Sequence, residues 1–161
     1  MENKSTTPEI EKHSRALQEK LKRFLAKENA PDVLIIKAHL ICEYYLTQVL
    51  ILKESYTSNE LYKLSFSEKL EKALDKADKI EDFSYKQIKK LNKLRNKIGH
   101  ELEYSLSEAD IDELGFLRGK EYIFEKYDYE TLPDLLRTTL KEIIVNVSFI
   151  VFKLVQNQKS D

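Results

Sequence analysis

One cysteine, three glycines, three prolines and no tryptophan stand in 161 residues, and each scarcity narrows the field. A lone Cys42 excludes a disulfide within the chain and a cysteine-rich metal site, and it fits a cytoplasmic, reducing setting. Inside an apolar run it reads as a buried small hydrophobe. So little glycine and proline, beside abundant Leu, Lys, Glu and Ile, argues for long helices and few tight turns. Charge of one sign is missing too: 27 basic and 28 acidic side chains leave a net charge of −1. No global field draws the molecule to nucleic acid, so any such affinity has to come from a local patch.

Long apolar runs are absent as well. The most apolar segment, Ile143 to Phe152, is closed off by Lys141, Glu142 and Lys153 and falls well short of the roughly 20 residues that cross a bilayer. Met1 to Pro8 lacks the apolar core of a signal peptide. A soluble protein with no membrane partner is the expectation.

What remains is helical patterning on the scale of a single domain, 1–161. Thr7-Pro8-Glu9 predicts a first helix over about 8–27, with Ile10, Leu17, Leu21, Phe24 and Leu25 inward. Asn29-Ala30-Pro31-Asp32 breaks the chain and restarts it as a second helix over about 31–53. That helix is apolar over much of its surface, as a central helix of a bundle would be. Residues 55–65 read as a connection, and a third helix is expected over about 67–79. Ser84 is the expected cap of a fourth helix over about 85–103, and Ser107 opens a short acidic one ending near Gly115. Residues 116–129 read as irregular. Thr131-Leu132-Pro133-Asp134 starts a last helix to about Val155, with a frayed polar tail. The fold class expected is all-α, an antiparallel bundle of four to five helices.

Chemistry concentrates on the fourth helix. Wound at about 100° per residue from Ile88, it gathers Leu91, Leu94, Ile98 and Leu102 into one stripe at about 240–320°. Lys86, Lys90, Lys93 and Lys97 form a cationic stripe at about 140–200°. Between the stripes lies a strip with Asn92, Arg95, Asn96, Lys89, Gly99 and His100, in which Arg95 and His100 sit about 140° apart. Fraying after Gly99 is one way to bring the two tips together. Asn96 and His100 are i,i+4 neighbours within bonding reach. Gly99 either lets another backbone come close or simply breaks the helix.

Histidine moves protons near neutrality, and the planar arginine fork matches phosphate and stabilises charge building on it. Together they suit phosphodiester cleavage, and no metal or other cofactor is expected. Lys89, Lys93 and Lys97 are the candidates for holding an RNA backbone. As a plainer alternative, the lysines are a solvated face and the Arg–His spacing is incidental. On the second helix His39 and Glu43 share a face. Glu43 either supports the site by orienting Arg95 or His100, or forms a self-satisfied polar pair with His39, which is the preferred reading. Lys69 reads as a surface lysine.

Arg95-Asn96-Lys97-Ile98-Gly99-His100 resembles the Arg-x4-His motif of HEPN domains. The flanks are also similar: Asn92-Lys93-Leu94 before the motif, Lys37-Ala38-His39-Leu40 to Glu43 in the second helix, and Leu64 to Leu70 with its Phe-x2-Lys-Leu opening. The resemblance spans about 31–101, with the last helix completing the bundle. It implies an all-α fold and, in active members, a metal-independent endoribonuclease, often a toxin or phage-defence effector. It also implies a homodimer whose two motifs form one cleft. Arg95 and His100 would then be catalytic, with Asn96 supporting them and Gly99 and Asn92 at the dimer contact. Many such proteins are paired with an antitoxin, which in one subgroup modifies a tyrosine two residues after the histidine. Here that position is Leu102, and the nearest tyrosine is Tyr104. Other family members are non-catalytic modules that bind a partner protein, which is the alternative function.

Overall fold

The computed structural model describes residues 7–101, 103–115 and 131–160. Within them the chain is all α-helix, with seven helices and no strand. They are α1 (Thr7–Lys27), α2 (Pro31–Glu54), α3 (Ser58–Tyr62), α4 (Phe66–Asp75), α5 (Lys79–His100), α6 (Glu108–Leu114) and α7 (Leu132–Ser160). The expectations for residues 116–130 and for Leu102 fall outside the described residues.

Helix starts follow the local capping chemistry, and this is where the sequence reading needs correction. Thr57 and Glu60 form a reciprocal capping box that opens α3, a helix read from the sequence only as a connection. Ser65 and Glu68 do the same for α4, which ends at Asp75 instead of near Lys79. The cap of α5, Asp78, stands six residues before the expected one. The Asp78 carboxylate accepts from the backbone N–H groups of Ile80 and Glu81, both at 2.9 Å, and Glu81 reaches back to the Asp78 N–H at 3.0 Å. Ser84 is therefore a buried mid-helix residue whose hydroxyl donates to the Ile80 carbonyl at 3.3 Å. α7 also runs past Val155. Gln158 donates to the Leu52 carbonyl at 3.1 Å and Lys159 pairs with Glu11, so its polar end is tied to α2 and α1.

α2 is the central helix. It packs most extensively on α7, then on α5 and α4. Leu34, Ile35, Ala38, Cys42, Leu46, Val49 and Leu50 meet a core that includes Leu136, Leu140, Ile143 and Val147 of α7 and Tyr85, Ile88 and Leu91 of α5. Burial of this apolar surface drives the assembly, at about 25 cal/mol per Å². Among the described residues α2, rather than Ile143–Phe152, is the helix long and apolar enough to cross a membrane, with a mean hydropathy of 1.4 over its best window. Half of that window is buried inside the bundle. On α7 the apolar run is not buried throughout, since Val145 and Phe149 are exposed. Cys42 is buried, and burial pushes its thiol up to about 12.

Candidate active site

The Arg95–His100 segment forms the last turns of α5. Its inner side is anchored by Leu91 and Leu94, both buried, and by the half-buried Ile98, as the expected core stripe requires. The helix does not fray after Gly99: the Glu101 N–H still bonds the Lys97 carbonyl at 2.9 Å, and extended backbone begins only at Glu101. The helix ends three residues earlier than expected because Glu101 turns the chain, with Tyr104 N–H on the Glu101 carbonyl at 3.0 Å. Arg95 and His100 thus keep the wide angular separation of a regular helix.

Both side chains are exposed. The Arg95 Nη1 donates to the side-chain carbonyl of Asn96 at 3.0 Å. Asn96 is therefore engaged by Arg95 and not by its i,i+4 neighbour His100, which makes no hydrogen bond to another described residue. Gly99 is helical with an ordinary negative φ, so it is no left-handed breaker. A Cβ built on it would meet nothing within 4 Å. Space stands open beside it within one chain.

Behind this surface lies a polar layer between α2, α4 and α5. His39 and Glu43 do not pair with each other, and Glu43 reaches neither Arg95 nor His100. His39 Nε2 lies 2.9 Å from the Asn92 Oδ1, and its ring rests on Phe66 with centroids 4.1 Å apart. Glu43 instead accepts from Lys69 Nζ at 2.7 Å. Lys69 is no surface residue: its side chain is 9% exposed, against 30% for Glu43. Asn92, expected at a dimer contact, spends its carbonyl on His39. Burial lowers the His39 pKa; the Asn92 hydrogen bond opposes this, the Arg95 charge adds to it and Glu43 counters. The spacing of His39 and Glu43 on one helix gave a shared face but no partners, since those come from helices folded against it.

The lysine stripe has acidic company. Lys89 and Lys93 are exposed, but Lys97 lies 3.8 Å from the Asp110 carboxylate and 5.7 Å from the Tyr104 ring centroid. Lys86 pairs with Asp82 at 2.6 Å. Asp110 and Glu113 of α6 line a narrow cleft with Lys90, Lys93 and Lys97. Bonds from the Ser107 hydroxyl and backbone N–H hold the Asp110 carboxyl down at about 2, so it is an anion beside the stripe at neutral pH. Burial, together with that anion, pushes the Tyr104 hydroxyl up to about 12.

Chemically, the end of α5 offers an exposed guanidinium, an exposed imidazole and a bare backbone patch, supported from behind by amide and imidazole hydrogen bonds. No family model, curated protein or solved structure matches this chain.

Proposed function

We propose that the protein is a metal-independent endoribonuclease of the HEPN type, acting as a homodimer in a toxin or phage-defence role. The observation that carries the reading is the exposure of both Arg95 and His100 around the open backbone of Gly99. Two groups so divergent on one helix serve poorly as a pair on one phosphate. A second copy approaching at Gly99 would supply a complementary histidine or arginine and complete a cleft.

In this reaction a His100 imidazole takes the proton from a ribose 2′-OH, whose oxygen attacks the adjacent phosphorus. The bond to the 5′ oxygen breaks, and the leaving oxygen receives a proton from a histidinium. Arg95 holds the phosphate oxygens and stabilises the extra charge of the five-coordinate state. The products are a 2′,3′-cyclic phosphate and a 5′-hydroxyl. Asn96, which accepts from Arg95, supports the guanidinium. Lys89 and Lys93 are the cations best placed to hold the RNA strand, being exposed where Lys97 is paired with Asp110, although Lys93 shares a cleft with Asp110 and Glu113. An antitoxin that modified the tyrosine two residues after the histidine would find leucine at that position, so any antitoxin partner acts by other means.

The test incubates RNA with wild type, Arg95→Ala and His100→Ala over a range of protein concentration and examines the ends produced. Cyclic-phosphate ends from wild type only, with activity rising steeply with protein concentration, are expected. Intact RNA at concentrations where the protein is dimeric, or equal cleavage by His100→Ala, would refute the reading.

One observation favours the alternative, a non-catalytic module that binds a partner protein. Asp110 and Glu113 beside the lysine stripe work against an RNA strand lying there. That alternative predicts a stable protein complex and unchanged RNA.

A further inference from the structure

Three helices meet at one imidazole. His39 of α2 is 5% exposed, its ring lies on Phe66 at the start of α4, and its Nε2 lies 2.9 Å from Asn92 Oδ1 on α5. A carbonyl oxygen only accepts, so Nε2 carries the proton and the neutral ring already satisfies the contact. Asn92 stands one helical turn before both Arg95 and Asn96, within i,i+3 and i,i+4 reach. Its oxygen is a further acceptor within one turn of the Arg95 guanidinium. His39 fills one of the two acceptor positions on that oxygen and so competes for it, while Arg95 donates to Asn96 at 3.0 Å.

We propose that His39 is a positioning residue for Arg95: by occupying the Asn92 carbonyl it keeps the guanidinium on Asn96, facing outward, and on gaining a proton it displaces that guanidinium by repulsion. The charged groups acting on His39 are Arg95 from α5 and Glu43 from its own helix, and Glu43 is held by Lys69 from α4. Glu43 is the one anion among them, and Lys69 already neutralises it at 2.7 Å. A proton on His39 therefore faces Arg95 with little compensation. The consequence for RNA rests on the ribonuclease reading; the consequence for Arg95 rests on the His39–Asn92 contact alone.

The experiment follows the imidazole nitrogens and the Arg95 Nε–H by NMR from about pH 5 to 8, the range in which histidines titrate. It uses wild type, His39→Gln and His39→Ala, with RNA cleavage measured in parallel and helix content checked for each. In wild type the Arg95 signal is expected to follow the His39 titration. His39→Gln keeps a neutral donor to Asn92, so that step disappears while the neutral-pH signal stays in place. His39→Ala moves the Arg95 signal at every pH. Cleavage by His39→Ala falls about tenfold in kcat with KM unchanged, as for a slightly misplaced catalytic group. His39→Gln restores the rate and extends activity to lower pH. An Arg95 signal indifferent to His39 in all three proteins overturns the proposal. RNA left intact by wild type, with the Arg95 signal still following His39, removes the ribonuclease reading and keeps the positioning. Cleavage with one shared pH profile in all three does the reverse.

Discussion

Removing the Glu43 charge should cost far more stability than removing the Lys69 charge, although the two form one ion pair. Lys69 Nζ lies 2.7 Å from Glu43 Oε1, with side-chain exposures of 9% and 30%. In Glu43→Gln the ammonium stays buried without its counter-charge, and breaking a buried pair in this way costs about 3–5 kcal/mol. Glu43 is partly hydrated, and the glutamine oxygen still accepts one hydrogen bond, which brings the expected cost to about 2–3 kcal/mol. Lys69→Met keeps the hydrocarbon stem in place and leaves a carboxylate that water already reaches, so its cost is at most about 1 kcal/mol. The double variant should resemble Lys69→Met, giving a coupling as large as the Glu43→Gln loss itself, about 2–3 kcal/mol. Urea unfolding followed by helical circular dichroism reads this directly. With a slope of about 2 kcal/mol/M, Glu43→Gln moves the midpoint down by about 1–1.5 M and Lys69→Met by less than about 0.5 M. Equal losses in the two single variants, or additive losses in the double, would show that Lys69 is effectively hydrated and that this layer is not a buried one.

Other positions give independent checks. Gly99→Ala meets open space and has good helix propensity, so it should raise monomer stability by up to about 1 kcal/mol, read by thermal unfolding, while weakening self-association in sedimentation. Unchanged association would remove Gly99 from any dimer contact. Asp78→Ala should lose about 1 kcal/mol through the α5 cap, and Ser84→Ala only a few tenths; the reverse order would move the helix start back to Ser84. For Asp110, the folded pKa of about 2 lies below the unfolded value of 3.8, so its stabilising contribution is full above about pH 4 and disappears as pH falls toward 2. Asp110→Asn should therefore cost about 1 kcal/mol at pH 7, after allowing for solvent screening, and nothing near pH 2. A cost that does not change between those pH values would contradict a charged role.

The helical class and the core stripe of α5 were readable because a 3.6-residue repeat writes itself directly onto apolar spacing. Helix starts were readable in principle and partly missed. Thr57-Ser-Asn-Glu60 and Asp78-Lys-Ile-Glu81 both carry the cap-and-return pattern, but so does Ser84-Tyr-Lys-Gln87, which lies inside α5. The end of α5 was set by a turn at Glu101, where no glycine or proline gives warning. The partners of His39, Glu43 and Lys69 were not legible at all. A shared helix face says which side chains look the same way, whereas their contacts depend on how α4 and α5 lie across α2. The exposed placement of Arg95 and His100 follows from winding alone. The acidic lining beside Lys97 required knowing where α6 folds back.

Cys42 gives the fold a built-in clock. It is the chain's single thiol, fully buried on the central helix in the same turns as His39 and Glu43, and burial keeps it protonated. An alkylating reagent can reach it only when α2 separates from its neighbours, since the thiolate is the reacting species. The labelling rate therefore reports how often the molecule opens. Every substitution in the polar layer behind Arg95 can then be timed in the same protein without adding a probe.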